Sequence, residues 1–193
     1  MSLIEKYLTN PEYIIIIIFA VLFIYYIIVK NISLSKSVEL KAIAVFIGKI
    51  AGTVKFTENN SKQNVTIEIN LTGFEPNTIH GFHVHQAGDL SEQCKSMCAH
   101  WNPFNKKHGG IDSTERHVGD LGNIVADEKG NVNMIIVDNV IKLHGDTSII
   151  GRGLIIHADE DDCGKGENEQ SLITGNAGER IGCAVIGWSK ENF

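Results

Sequence analysis

The stretch GFHVHQAGD, residues 81–89, places two histidines two positions apart in a segment that otherwise has the composition of a β-strand. Side chains at positions i and i+2 of a strand point to the same face, so His83 and His85 should stand side by side. Such a pair is either two ligands of a metal ion or two polar side chains that face solvent. The H-x-H spacing alone favours the second interpretation, and the rest of the chain has to decide.

A third histidine is suited to join this pair. His157 ends the strand-like segment GLIIH, just before a Gly-rich stretch without periodicity. A set of imidazoles without thiolates favours copper(II) or zinc over magnesium or calcium. His83, His85 and His157 could therefore bind one ion on the surface of a sheet.

A second set of candidate ligands lies in a long polar stretch. His108, His117 and Asp120 combine two imidazoles with a carboxylate, which could bind a second ion within a loop. His100 lies between the two sets in sequence. Because an imidazolate has two nitrogens that can bind metal, His100 could bridge both ions.

Strand-like segments surround these residues. Seven segments alternate apolar and polar residues or carry β-branched runs, as is typical of strands, and Val65, Ile67, Ile69 and Leu71 keep a strict period of two. Turn-forming segments such as DEKGN separate several of them. This number of strands predicts an all-β sandwich or small barrel. The seven segments are ELKAIAVFI, IAGTVKFTE, VTIEINL, TIHGFHVH, VNMIIVD, GLIIHA and GCAVIGW.

Two stretches do not fit a series of tight hairpins. Residues 86–118 and 158–181 are Gly-rich, polar and without clear periodicity. Loops this long are uncommon in compact domains unless they are functional or disordered. Both contain or adjoin the candidate ligands, so we expect two long functional loops that are fixed by other interactions.

Composition and cysteine spacing narrow the function classes. The 193 residues carry a formal net charge of -6, and an acidic domain argues against nucleic acid as a partner. The four cysteines allow three fully paired connectivities, between which the sequence alone does not choose. They are Cys94, Cys98, Cys163 and Cys183. Because none forms a C-x-x-C pair, the tetracysteine zinc motif is absent.

The first 37 residues differ from the rest. Residues 13–29 are 17 consecutive apolar or aromatic residues, at the lower edge of the length that spans a bilayer, and Glu12 and Lys30 flank them. The run is longer than a signal-peptide core, and no A-x-A-like cleavage site follows it. We therefore expect residues 1–37 to be a helical membrane anchor and linker, with a cleaved signal or a buried core segment as alternatives, and residues 38–193 to form one domain.

The side of the membrane on which the domain lies stays open. Lys30, Lys36 and Lys41 outnumber Lys6 and the amino terminus, which weakly favours a cytosolic domain by the positive-inside rule. Four Asn-x-Ser/Thr sequons favour the opposite side, although an asparagine-rich chain contains some by chance. These sequons begin at Asn31, Asn59, Asn64 and Asn70.

Five motifs carry a resemblance to a known family over roughly residues 39–188. They are HGFHVH, NPFNKKHGG, ERHVGDLGN, GRGLIIHADEDD and GNAGERIGCAVIG. In this order and at this spacing, the chain resembles the copper/zinc superoxide dismutases of the eukaryotic type. The resemblance implies a Greek-key β-sandwich or flattened barrel, here preceded by a single hydrophobic helix. It also implies the dismutation of superoxide to oxygen and hydrogen peroxide through a one-electron copper cycle, as antioxidant defence.

The resemblance assigns a metal to each set of ligands, with one copper and one zinc in each subunit. It implies copper at one set and zinc at the other, with His100 as the bridge and as a catalytic residue. The copper ligands would be His83, His85, His100 and His157, and the zinc ligands His100, His108, His117 and Asp120. Asp161 would link a copper-side to a zinc-side histidine and fix both rings.

Further roles follow from the same resemblance. Arg180 matches a catalytic arginine that guides the anion, and Cys94 and Cys183 match an intrasubunit disulfide. His80 matches a structural histidine, and His144 matches no ligand. Contacts through CAVIGW, residues 149–151 and residues 87–88 imply a homodimer.

The chain departs from its family at a few positions. Ile173 stands where many members carry a lysine that steers the anion, and the neighbouring Lys165 could supply part of the missing charge. Cys98 and Cys163 are additional, one in each long loop, and are either free thiols or a second disulfide. Two other classes remain as alternatives: a copper chaperone, which would usually lack some copper ligands and add cysteine motifs, and a membrane-tethered sandwich without turnover.

Overall fold

The computed structural model describes residues 11–34, 39–59 and 63–193, and the chain divides before Glu39 into two units. Each unit is described by itself. The expected domain boundary between residues 37 and 38 lies outside the described residues.

The described part of the first unit, residues 11–34, forms an apolar helix, α1 (Pro11–Leu34). Proline suits the first position of a helix because its missing N–H would have no intrahelical partner, and Glu12 lies in the first turn. The apolar side chains from Tyr13 to Ile28 are exposed. The window Pro11–Ile28 is long and apolar enough to cross a membrane, a test that a signal sequence also passes.

Eight antiparallel strands build the second unit in the order β5-β4-β7-β8-β1-β2-β3-β6. The two edge strands approach each other where the Val125 N–H donates to Met134 Sδ at 3.4 Å, so the sheet is a nearly closed barrel. The strands are β1 (Glu39–Phe46), β2 (Ala51–Asn59), β3 (Asn64–Thr72), β4 (Ile79–His85), β5 (Asp120–Val125), β6 (Asn131–Asp138), β7 (Gly153–His157) and β8 (Arg180–Trp188).

The connections are those of a Greek-key barrel, as expected. In the strand order, the β3–β4 connection passes over β6 and β5, and the β6–β7 connection passes over β5 and β4. Strand β8 joins the two halves, because its first part pairs with β7 and its last part, from Ile186, pairs with β1.

The core lies inside the barrel and follows the alternation of the strands. In β3, Val65, Ile67, Ile69 and Leu71 are almost fully buried, while Glu68 between them is exposed. Their core partners on the other half of the barrel include Phe82 and Val84 of β4. The period of two read from the sequence is therefore confirmed.

One of the eight strands is not among the seven that the sequence predicts. Strand β5 (Asp120–Val125) pairs with β4 through a register shift between Gly81 and His83, and it contains Gly122 at φ +78°. The segment DLGNIV has neither strict alternation nor a β-branched run, so its pattern does not indicate a strand. Tertiary pairing with β4 makes it one.

The two long loops leave opposite ends of neighbouring strands and fold over the outer face of β4 and β7. Residues 86–119 follow β4, and residues 158–179 follow β7 and contain the one-turn helix α2 (Ser171–Thr174). The first loop is tied to β4 where the Trp101 N–H donates to Val84 O at 2.8 Å. The loops also contact each other, because the His108 N–H donates to Leu172 O at 2.9 Å.

Candidate metal centre

The two histidines of GFHVH lie on the outer face of β4, and the loops cover them completely. His83 is 0 % and His85 1 % exposed. Strand β4 is therefore buried on both faces, with Phe82 and Val84 toward the core. Two imidazoles so deeply buried are not solvent-facing polar residues.

Four histidines converge at this place. Each offers one ring nitrogen, and these four atoms lie within 4.8 Å of one another. The first loop brings in one of them through a β-bridge between His85 and His100, and the end of β7 supplies another. The members are His83, His85, His100 and His157.

The protein holds one nitrogen of each ring and leaves the other without a partner. His85 Nδ1 bonds to Cys98 O at 2.8 Å, and His157 Nδ1 bonds to Gly178 O at 3.2 Å. The opposite nitrogens, Nε2 of His85, His100 and His157 and Nδ1 of His83, are buried without a hydrogen-bond partner. A buried polar atom without a partner is costly, and a metal ion would satisfy all four. The residues therefore fit a metal.

A second cluster shares His100 with the first. His100, His108, His117 and Asp120 also place one ligand atom each within 4.8 Å of one another. Asp120 Oδ1 lies 2.9 Å from His100 Nδ1, 3.0 Å from His108 Nδ1 and 3.1 Å from His117 Nδ1. His100 thus offers Nδ1 to this cluster and Nε2 to the other.

Asp161, from the second loop, connects the two clusters. Its Oδ2 lies 2.8 Å from His83 Nε2, and its Oδ1 lies 2.8 Å from His108 Nε2. Each ring therefore turns its Nδ1 toward its own cluster. Asp161 thus joins one histidine of the first cluster to one histidine of the second.

Two residues that support Asp161 were not found from the sequence. The Asn123 side chain accepts from Asp161 N and donates to Asp161 O, both at 2.8 Å, which ties the second loop to β5. Gly175 has φ +65°, and a Cβ there would lie 1.9 Å from Asp161 Oδ1. Both residues lie inside quoted motifs, Asn123 at the end of ERHVGDLGN and Gly175 at the start of GNAGER, and this is the signal that could have found them.

A buried arginine supports Asp120 and was also missed. Arg116 is 4 % exposed and donates from Nη1 to the carbonyl of Asp120 at 2.5 Å and from Nη2 to the carboxylate of Asp138. Asp138 in turn accepts from the N–H groups that follow β6. Arginine before His117 reads in sequence as a surface residue, so only the fold reveals this role.

Burial keeps the histidines of the first cluster neutral. Burial, with help from the neighbouring His100, lowers the pKa of His83 to about 3, and burial lowers the pKa of His157 to about 4. The pKa values of His85 and His100 are lowered for the same main reason. These rings are neutral at pH 7 and keep free lone pairs for a metal.

The carboxylates act in the other direction on the second cluster. Burial alone would lower the pKa of His108, but hydrogen bonds with Asp120 and Asp161 outweigh it and raise the pKa to about 9. Burial likewise opposes ionisation of the two aspartates, and their histidine partners outweigh it and lower both pKa values. Both carboxylates are therefore ionised.

A cavity of about 630 Å³ opens onto the first cluster. His85, His100 and His157 line it together with Arg180, Lys95 and Ile173. Ile173 is 52 % exposed. Lys165 is not among the lining residues, and Lys95, which the sequence did not single out, is.

Arg180 is held in this cavity by the first loop. Its guanidinium donates from Nη1 to Cys94 O at 2.7 Å and to Lys95 O at 3.2 Å, and from Nη2 to Cys98 O at 2.5 Å. The expected disulfide is confirmed, because Cys94 is bonded to Cys183 and closes the same loop onto β8. Cys98 and Cys163 are free, as the first of the two alternatives held.

The two remaining histidines lie outside the clusters. His80 bonds through Nδ1 to His157 O and through Nε2 to Thr78 Oγ1, both at 2.8 Å, which suits a structural role. His144 bonds to the buried Glu58 at 3.0 Å and keeps most of its side chain in solvent.

Comparisons with known proteins agree with this site. Residues 50–186 match the family model of copper/zinc superoxide dismutase (SODC). Superoxide dismutase [Cu-Zn] of Paramecium bursaria Chlorella virus 1 is 56% identical over 161 residues, which are 83% of this chain and 85% of the relative. The protein of the same name from Yarrowia lipolytica is 48% identical over 150 residues, 77% of this chain and 97% of the relative.

A solved structure gives the same result for the fold. The crystal structure of the clock protein EA4 matches with a TM-score of 0.74 at 44% sequence identity, over 76% of this chain and 93% of that chain. With the fold, the clusters and these identities together, the chain belongs to the copper/zinc superoxide dismutase family, and it is an oxidoreductase that dismutes superoxide with copper and zinc as cofactors.

Proposed function

We propose that the cluster open to the cavity holds copper and the closed cluster holds zinc. The observation that supports this most directly is access: three of the four histidines of the first cluster line the cavity, whereas His100 alone represents the second cluster there. A redox ion has to meet its substrate, while a structural zinc site is closed by four protein ligands. The copper ligands are then His83, His85, His100 and His157, and the zinc ligands are His100, His108, His117 and Asp120.

When bound, copper supplies the one-electron oxidation and reduction of superoxide, and zinc, which is redox-inactive, supplies fixed charge and structure. The chain itself provides the anion site. Arg180 is oriented by three carbonyl oxygens of the first loop and carries a fixed positive charge beside His85 and His157. It attracts a small anion and donates hydrogen bonds to it.

His100 provides the proton. Its Nδ1 lies against Asp120, while its Nε2 belongs to the cluster that opens to the cavity. We assign to Nε2 the uptake of a proton in one half of the cycle and its delivery to the departing peroxide in the other. The second proton comes from solvent, because the cavity is open to it.

Metal analysis and activity measured together test these assignments. We expect His85→Ala to lose copper and activity while zinc remains, and Asp120→Ala to lose zinc first. His144→Ala is the matched control, since His144 is half-exposed and lies in neither cluster. Inhibition of cytochrome c reduction by superoxide reports activity. Equal copper and zinc contents in His85→Ala and wild type would contradict the assignment.

We further propose that α1 anchors the protein in a membrane. The support is the length of this helix and its exposed apolar side chains. Between Tyr13 and Ile28 the helix contains no charged residue. Extraction of the full chain at alkaline pH separates the outcomes. A retained anchor stays with the membrane pellet and keeps its N-terminal peptide in mass spectrometry, whereas a cleaved signal leaves a soluble, shortened chain.

Digestion with a glycosidase then reports the side of the membrane. Asn70 starts a sequon and is exposed on the outer face of β3. A mobility shift that Asn70→Gln reduces places the domain on the lumenal or external side. An unmodified chain is the result expected for a cytosolic domain.

We also propose a homodimer through one face of β8. Three segments of the expected contact lie together: a Cβ on Gly88 would be 2.2 Å from Gly151 O and 2.9 Å from Val185 Cγ1. Val185 is half-buried and points away from the core, while Ile186 is fully buried and belongs to the core. The apolar outer face at Val185 is thus available to a second copy.

A glutamate at Val185, compared with a glutamate at Val125, tests the dimer. Val185→Glu should give a monomer in sedimentation of the detergent-solubilised chain. Val125→Glu is the matched control, because Val125 is also a strand valine outside the core but lies on β5. A wild-type chain that sediments as a monomer at micromolar concentration would exclude the homodimer.

A further inference from the structure

The cavity that admits superoxide presents an obstacle to copper. Its lining includes two cations, Lys95 and Arg180, and no carboxylate among the described residues. The field that favours a small anion disfavours an incoming metal cation. His85, His100 and His157 of the first cluster line this cavity and are otherwise buried, so we take it as the route by which metal reaches the cluster.

Cys98 is the one lining residue whose side chain binds soft metals as an anion. The thiol is exposed, and it donates a hydrogen bond to the carbonyl oxygen of Ser96 at 3.6 Å. Its own carbonyl accepts from His85 Nδ1 at 2.8 Å and from Arg180. The main chain of Cys98 is therefore fixed between one metal-site histidine and the anion-guiding arginine.

The backbone at this position would suit glycine better than cysteine. Cys98 has φ 63° and ψ -151°, a region in which a side chain is strained. Residues held in strained backbone conformations of this kind cluster at functional sites.

The second observation is the set of imidazole nitrogens on the wall of the same cavity. Nε2 of His85, His100 and His157 has no hydrogen-bond partner, and these side chains belong to residues that are 1 %, 4 % and 5 % exposed. The three histidines with unpartnered nitrogens and the residue with an exposed free thiol therefore line one cavity. Thiolate selects copper(I), whereas imidazole accepts both oxidation states.

We propose that Cys98 is the first ligand for incoming copper(I), which it passes to His85, His100 and His157. On capture, the Cys98 thiol loses its proton to solvent and its sulfur binds copper(I). On transfer, the imidazole nitrogens replace the sulfur and the thiolate takes a proton back, so no electron is exchanged. The proposal rests on the copper assignment above and extends it from holding the ion to acquiring it.

The rate of copper(I) uptake tests this role. The full chain in detergent, freed of metal with its disulfide intact, receives copper(I) anaerobically from a coloured chelator, and loss of the chelate colour gives the rate. We expect Cys98→Ser and Cys98→Gly to take up copper(I) roughly tenfold more slowly or worse, because they lack the soft ligand. Cys163→Ser is the matched control and should load like wild type, since Cys163 does not line the cavity.

A structural readout accompanies the rate. At less than one equivalent of copper(I), X-ray absorption of the early wild-type complex should show a sulfur neighbour that Cys98→Ser lacks. After full loading, all chains should hold the same amount of copper with nitrogen neighbours only. Equal uptake rates in wild type and Cys98→Ser, or an early wild-type complex without sulfur, would overturn the proposal.

The copper assignment is read separately in the same experiment. If wild type and every variant end with the histidine cluster free of copper, that assignment fails, and the role of Cys98 fails with it. If all chains load fully and at one rate, only the role of Cys98 is refuted.

Discussion

Removal of the disulfide is the perturbation whose size the structure defines best. Cys94 and Cys183 are separated by 89 residues, so the bridge closes most of the barrel domain into one loop. In the chain-entropy model such a loop corresponds to about 4.6 kcal/mol at 25 °C, at the upper end of the 2–5 kcal/mol that loss of a native disulfide usually costs. We expect Cys94→Ser to lose about 4 kcal/mol of unfolding free energy.

The measurement is urea unfolding of a chain that starts at Val38, with a chelator present so that metal binding does not contribute. The match to the Yarrowia lipolytica relative covers 97% of that protein, which leaves no room in it for a segment as long as α1. Cys183→Ser and reduced wild type should lose the same amount as Cys94→Ser. Cys163→Ser is the control and should change the stability little.

Two results would refute this reasoning. A loss below about 1 kcal/mol in both single variants would show that the unfolded chain gains little freedom when the loop opens. Different losses in Cys94→Ser and Cys183→Ser would show that one side chain, and not the bridge, carries the effect.

Three further predictions concern the cavity and the two free cysteines. Arg180→Ile should lower kcat/KM roughly tenfold or more and flatten its salt dependence, and Ile173→Lys should raise kcat/KM at low salt. Stopped-flow rates between about 10 and 150 mM salt, over which the Debye length falls from about 30 to about 8 Å, check both variants. An unchanged salt dependence in Arg180→Ile would contradict the role of Arg180. Burial and the nearby Asp161 carboxylate raise the pKa of Cys163, so less thiolate is present at a given pH. Its alkylation rate, followed by mass spectrometry, should be lower than that of the exposed Cys98 at pH 8 and should still increase above pH 9.0. Equal rates at pH 8 would count against this. Cys98→Gly should raise the unfolding free energy by about 1–2 kcal/mol relative to Cys98→Ala, because glycine relieves the strained backbone. Urea unfolding of both variants measures this difference. Equal midpoints would show that the strain is absent.

The strand pattern and the ligand types were readable from the sequence because they depend on local order. The alternation of Val65, Ile67, Ile69 and Leu71 predicts a half-buried strand, and the structure buries those four side chains. The i, i+2 spacing of His83 and His85 puts both on one face for the same geometric reason. The five motifs added the family, which the comparisons confirm.

Strand β5 and the residues that support Asp161 and Asp120 were not readable, because their structure depends on distant partners. DLGNIV becomes a strand only by pairing with β4. Asn123 becomes a clamp because residues 158–179 return to it, and Arg116 becomes a buried cation because Asp138 and the Asp120 carbonyl surround it. Both side chains lie inside the motif ERHVGDLGN, but the local sequence does not show what they contact.

The sequence by itself indicated which side chains are candidate metal ligands and that His83 and His85 share one face of a strand. Only the tertiary structure decided that those side chains are buried, that Asp161 reaches both clusters, and that Cys98 shares a cavity with Arg180. The physical reason is that strand periodicity is a property of neighbouring residues. Burial and hydrogen bonding across the two long loops depend instead on chain segments that are far apart in sequence and meet only in the closed barrel.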